Sequence, residues 1–257
     1  VQVTPRPQAF VDFANTTVCE GGAVSLGSPV AGPGISYQWT GPDGFSSALQ
    51  YPPVISPIGL EDSGPYQLTV TRNGCASNPA ASIINVLPKP NRPSLAVEDN
   101  QLCEGETLVL RAEPAGAASY TWTAPDLSTI TTPVNSLTIT DAYNGFSGVW
   151  TVQSTQFGCD SDMSFGLNVA INTQPVAMVS TNIAPQDPLC ERSSLQLYSA
   201  PNLPGASYMW TGPNGYTSVA QNQVLNPVGP GRTGTDTLRV TTAPACTHTP
   251  RVDLQVV

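Results

Sequence analysis

Apolar and polar side chains alternate in short runs along the whole chain, and the runs fall into three matching sets. The middle set is the clearest: Thr107 to Leu110 alternate after the turn Glu104-Gly105, Ser119 to Thr123 carry a tryptophan, and Leu137-Thr138-Ile139 point leucine and isoleucine to one side. Gly148 to Ser154 and Phe165 to Val169 complete it. The first set is Val24 to Leu26, Ile35 to Thr40, Val54-Ile55, Tyr66 to Thr71 and Ile83 to Leu87. The third is Leu195 to Leu197, Ser207 to Thr211, Val224-Leu225, Asp236 to Thr241 and Val252 to Val256. Alternation with a period of two predicts half-buried strands, and no segment sustains a helical period. Many short strands separated by turn residues predict an all-β chain of sandwiches.

The sets are copies of one unit. Tyr37-Gln38-Trp39-Thr40-Gly41-Pro42-Asp43-Gly44 returns as Tyr120-Thr121-Trp122-Thr123-Ala124-Pro125-Asp126 and as Tyr208-Met209-Trp210-Thr211-Gly212-Pro213-Asn214-Gly215. Each copy sits in a frame of two cysteines, Cys19 to Cys75, Cys103 to Cys159 and Cys190 to Cys246, every frame spanning 56 positions. A fixed internal period marks a tandem array. The expected division is 4–88, 89–171 and 172–257, with Val1 to Val3 read as the last strand of a preceding repeat and the chain read as cut from a longer array. In each unit the central tryptophan, Trp39, Trp122 or Trp210, is expected to fill the core, where truncation to alanine costs about 3–5 kcal/mol.

Charge narrows the function classes. Lys and Arg number 9 against 18 Asp and Glu, a formal net charge of −9, which argues against nucleic acid as a partner. Lys89 is the only lysine, so Lys–Asn isopeptide staples are excluded from two of the three repeats. Units this small profit from a covalent tie, and six regularly placed cysteines with few charges suit an oxidising exterior. No Cys-x-x-Cys occurs, there is one histidine, His248, and no run of about 20 apolar residues could span a membrane. No membrane insertion is expected in this segment.

Candidate chemistry is sparse. The repeated acids Glu20, Glu104 and Glu191 each follow a cysteine at a turn, where a solvated turn residue is the simplest role, and an active site would be unique to one repeat. Asp160-Ser161-Asp162 lacks the third carboxylate and glycine turn that a calcium site uses. His248 reads as a surface loop residue. No catalytic residue, metal or cofactor is expected, and the chain is read as a non-enzyme. The loops Pro42-Asp43-Gly44-Phe45 and Pro213-Asn214-Gly215-Tyr216 set an aromatic beside a tight turn. Such a ring either stacks on a sugar or folds back over the sheet edge as turn chemistry.

Asp62-Ser63-Gly64-Pro65-Tyr66 resembles the start of strand F in immunoglobulin-like domains, where the tyrosine hydroxyl ties the preceding corner. Gly148-Val149-Trp150 and Gly234-Thr235-Asp236 depart from it, so that bond should be lost or remade there. Leu68, Val152 and Leu238 stand where the usual inter-sheet cysteine would be. Cys-Glu-Gly at 19–21 and 103–105, Trp-Thr-Gly-Pro at 39–42 and 210–213, and Asn73-Gly74-Cys75 resemble the immunoglobulin-like and PKD-like repeats of large Bacteroidota surface proteins. These include gliding-motility adhesins and other type IX secretion cargo. Cys190-Glu191-Arg192 departs from the first motif, and the PKD motif Trp-x-Phe-Gly-Asp-Gly is absent.

That resemblance implies three immunoglobulin-like β-sandwiches end to end in a secreted, cell-surface filament. Such a segment spaces surfaces and contacts them, with neighbouring repeats of the same chain, surface glycans or abiotic surfaces as partners. The alternative is a carbohydrate-binding accessory region of a secreted glycoside hydrolase. In such a sandwich the turn before strand B lies at the pole where the chain leaves, and the F–G turn at the pole where it arrives. Cys19 would then meet Cys159, and Cys103 would meet Cys246, across the joints, while Cys75 and Cys190 pair with repeats absent from this chain. A shifted strand order would instead close each frame on itself.

Overall fold

A computed structural model describes residues 5–184, 187–243 and 245–257; the strand read at Val1 to Val3 lies outside them. Repeat 1 contains β1 (Thr16–Cys19), β2 (Ile35–Thr40), β3 (Ser46–Ser47), β4 (Gly64–Arg72), β5 (Cys75–Ala76) and β6 (Ala80–Leu87). Repeat 2 contains β7 (Ser94–Val97), β8 (Leu102–Cys103), β9 (Leu108–Glu113), β10 (Ser119–Thr123), β11 (Thr129–Thr132), β12 (Ser136–Ile139), β13 (Gly148–Gln156), β14 (Cys159–Asp160), β15 (Leu167–Val169) and β16 (Ile171–Asn172). Repeat 3 contains β17 (Met178–Thr181), β18 (Leu195–Ala200), β19 (Ser207–Gly212), β20 (Tyr216–Ser218), β21 (Gln223–Leu225), β22 (Gly234–Thr242), β23 (Cys246–His248) and β24 (Arg251–Leu254).

Each repeat is an immunoglobulin-like sandwich, identified by its strand order. One sheet of repeat 1 runs β1-β6-β4-β2-β3, with β1 parallel to β6 and the other pairings antiparallel. Its second sheet is reduced to the bridge between Val24 and Ile55. Repeat 2 sets β11-β10-β13-β14 against β12-β9-β7, and repeat 3 sets β20-β19-β22-β23 against β17-β18-β21. The parallel tie of the first sheet recurs as β8 with β16 and, in repeat 3, as the bridge between Leu189 and Val256. β16 crosses position 171, where the sequence reading divides repeats 2 and 3.

The structure adds strands that alternation did not show. β1, β7, β8 and β17 hold two to four residues each, too short to display a period; β1, β7 and β17 exist because a longer partner strand supplies their hydrogen bonds, and β8 pairs with the equally short β16. β3, β11 and β20 form for the same reason beside the tryptophan strands.

Three separate apolar clusters lie between the sheet pairs. Trp39, Trp122 and Trp210 are fully buried at their centres, and so is Trp150, which the sequence reading did not place in the core. Each repeated indole N–H finds an acceptor: the Leu49 carbonyl at 3.0 Å, the Thr132 hydroxyl at 2.9 Å and the Gln221 carbonyl at 3.1 Å. A buried indole keeps its full packing value only when that donor is satisfied. Leu68, Val152 and Leu238 fill the place of an inter-sheet disulfide with fully buried apolar side chains.

Candidate functional site

The joints between repeats concentrate the chain's covalent chemistry. Cys19 ends β1, and the parallel ladder to β6 fixes it beside Leu87, the last residue of its repeat's sheet. Cys159 opens β14 just after the turn Phe157-Gly158, at the opposite pole of repeat 2. The two are bonded, with Cα atoms 5.6 Å apart and a sequence separation of 140. Cys103, placed the same way beside Asn172, is bonded to Cys246 of repeat 3, again with 5.6 Å between Cα atoms and a separation of 143. Both Cα distances sit in the usual disulfide range. Cys75 and Cys190 are unpaired. Within a frame the two cysteines lie at opposite poles, since nearly the whole of β4, β13 or β22 separates the corner beside the first from the turn before the second.

Polar contacts extend each joint. The Lys89 ammonium sits 2.6 Å from Asp162 and, through that hydrogen bond and its charge, holds the carboxyl below the usual carboxylate range. Arg92 lies 3.8 Å from the same carboxylate and covers the exposed Phe165 ring at 4.8 Å. Asp162 therefore faces two cationic side chains. At the second joint Gln174, the counterpart of Lys89, donates to the Glu104 carbonyl at 2.8 Å. His248 belongs to β23 and not to a loop, because the strand after the F–G turn starts at Cys246; its Nδ1 accepts from the Ala177 amide at 3.3 Å. Sequence reasoning missed these polar partners because each pairs residues 70 or more positions apart.

The turn acids have structural partners too. Glu104 accepts from the Asn144 amide at 3.1 Å and Glu20 from the Lys89 amide at 3.3 Å. Among the described residues no group of three or more His, Cys, Asp or Glu is placed to hold a metal ion. No helix among them is long and apolar enough to cross a membrane.

The aromatic loops fold back over their sheets. Asp43 and Asn214 take left-handed backbone at φ 51° and 57°, Gly44 and Gly215 follow at 70° and 73°, and the chain reverses within the loop. Phe45 is thereby half-buried, edge-on to Tyr66 with ring centroids 5.3 Å apart. Tyr216 is half-buried under the Arg232 guanidinium, 4.3 Å from its ring centroid. Pro42 and Pro213 lie against Gly64 and Gly234.

No family model and no curated protein matches the chain. Among solved structures it is similar to the immunoglobulin domains 1–5 of Sidekick-1, at 14% identity and a TM-score of 0.34, covering 98% of this chain and 60% of that one. It is also similar to the three N-terminal domains of the outer capsid protein Hoc of bacteriophage RB49, at 13% identity and a TM-score of 0.37, covering 97% and 98%. A third is the complex of Dpr2 Ig1-Ig2 with DIP-Theta Ig1-Ig3, at 12% identity and a TM-score of 0.36. At these values the likeness adds nothing to the strand order, which identifies the fold by itself.

Proposed function

We propose that this chain is a structural and adhesive segment of a long extracellular surface fibre, in which three repeats divided as 4–88, 89–171 and 172–257 hold surfaces apart. The observation that carries this reading is the pair of disulfides that cross the joints. A bond inside one repeat stabilises that repeat; a bond from the C-terminal pole of one to the N-terminal pole of the next restrains the angle between them. In the chain-entropy picture, closing loops of 140 and 143 residues is worth about 5 kcal/mol each. The motifs that resemble Bacteroidota surface repeats support the same reading, as do six regularly placed cysteines in a charge-poor composition suited to an oxidising exterior.

Strands of seven or eight residues plus loops give each repeat a length of about 35–40 Å, so three in line make a rod of roughly 110 Å. Small-angle scattering of the oxidised chain tests this. A rod of that length is expected, and a compact particle with touching ends would overturn the proposal.

A further inference from the structure

The two outer poles of the array carry the unmatched halves of the joint found twice inside it. At the C-terminal pole of repeat 3 the Glu191 amide donates to the Val257 carbonyl at 3.0 Å and the Arg192 amide to the Val228 carbonyl at 2.8 Å. The same two bonds hold Glu20 to Leu87 and Gly21 to Ile58 at 2.8 Å, and Glu104 to Asn172 and Gly105 to Ala142 at 2.9 Å. In both of those cases the cysteine one step earlier is bonded to the next repeat. Cys190 occupies that step, exposed and unpaired.

The N-terminal pole of repeat 1 is built like the receiving side. Cys75 pairs with Arg72 in the hairpin ladder as Cys159 pairs with Gln156 and Cys246 with Thr242. Two residues after it, the Ser77 hydroxyl accepts from the Val70 amide at 3.0 Å, as Ser161 accepts from Ser154 at 3.0 Å. One residue further on, Asn78 accepts from Arg6 at 3.1 Å, the counterpart of Asp162 and Lys89. The segment leading into repeat 1 thus lies across this pole as the linker does at the inner joint, beside a free thiol.

Resting on the reading of the chain as a tether, we infer that Cys190 and Cys75 are the two halves of a further joint, whose partner is another immunoglobulin-like repeat of this design. A second copy of this chain supplies both halves. They lie at opposite poles of different repeats, so they meet between copies and not within one. The step joins two thiols into one disulfide with release of two protons and two electrons. The electrons reduce a disulfide of the surroundings, a small-molecule disulfide or that of a protein oxidant, to two thiols.

The test is to oxidise the purified, folded chain in a buffer of oxidised and reduced glutathione and map the products by non-reducing electrophoresis and mass spectrometry. A ladder of multimers linked Cys190 to Cys75 is expected. The Cys75→Ser and Cys190→Ser variants should each stay monomeric, while their mixture gives one disulfide-linked dimer. Cys190–Cys190 or Cys75–Cys75 bonds in equal yield would overturn the inference, as would thiols capped by glutathione with no multimer. Scattering of the same samples separates the two readings: a monomer that remains a rod removes the joint alone, and a compact particle removes the tether reading as well.

Discussion

The Tyr66 hydroxyl donates to the carbonyl oxygen of Asp62, four residues earlier, at 3.1 Å, and ties the corner before β4. Burial, with the Asp62 charge beside it, pushes the phenol up to about 12, so it remains a donor. Repeats 2 and 3 remake this tie at the same offset with other chemistry. The Trp150 indole N–H donates to the Phe146 carbonyl at 2.9 Å, and the Arg232 side chain donates to the carboxylate of Asp236. Tyr66, Trp150 and Asp236 are all fully buried.

The three corners should respond differently to substitution. Tyr66→Phe removes one hydrogen bond and keeps the ring, at a cost of about 1 kcal/mol. Asp236→Ala leaves the Arg232 charge buried without a partner, at a cost of about 3–5 kcal/mol. Asp236 Oδ2 and Arg232 Nε and Nη1 already lack hydrogen-bond partners, so replacing the pair should do less harm than breaking it. Arg232→Asp with Asp236→Tyr, which copies repeat 1, should restore most of the stability lost in Asp236→Ala. Denaturant midpoints decide this, and a double variant as unstable as the single one would contradict it.

The same pair sets a pH dependence. Burial raises the Asp236 carboxyl above 3.8, with Arg232 pulling against it. The folded repeat therefore binds that proton more tightly than the unfolded chain. Its contribution to stability is fully present below 3.8 and fades as pH rises through the raised folded value. Melting of the wild type against the double variant across the acid range should show this slope in the wild type alone.

A glycine under a proline closes each corner. Gly64, Gly148 and Gly234 take φ of 147°, 135° and 141°, and a Cβ there would lie 2.9, 2.8 and 2.9 Å from the ring of Pro42, Pro125 or Pro213. Gly64→Ala and Gly234→Ala should each cost about 1–3 kcal/mol, read as a lower midpoint for that repeat. An unchanged midpoint would mean that these loops are free of the sheet.

What the sequence makes legible follows from where the information sits. Trp39, Trp122 and Trp210 stand in strands whose alternation is local, so the sandwich and its repetition can be read directly. β1 and β8 cannot, because four and two residues hold no period and their order comes from β6 and β16. At the corners the sequence shows a lost tyrosine at 150 and 236, whereas the constant offset of four emerges only with the partners in place. Equal cysteine spacing is silent on pairing, since it repeats with the unit whichever poles the thiols occupy.

Crossed staples also redirect tension. Under a pull on both ends, the covalent path runs from the N-terminus to Cys19, across to Cys159, back through repeat 2 to Cys103, and across to Cys246. Only about 85 residues then lie on the path, so single-molecule stretching should reach roughly 300 Å when oxidised and roughly 900 Å when reduced, at 3.3–3.6 Å per residue. Equal lengths in the two states would contradict the staples.

The most direct measurement is a non-reducing peptide map of the folded chain with its free thiols blocked first. The expected result is a Cys19 peptide linked to the Cys159 peptide and a Cys103 peptide linked to the Cys246 peptide, with Cys75 and Cys190 carrying the blocking group. A Cys19 peptide linked to the Cys75 peptide would contradict the joint-crossing scheme and, with it, the braced tether.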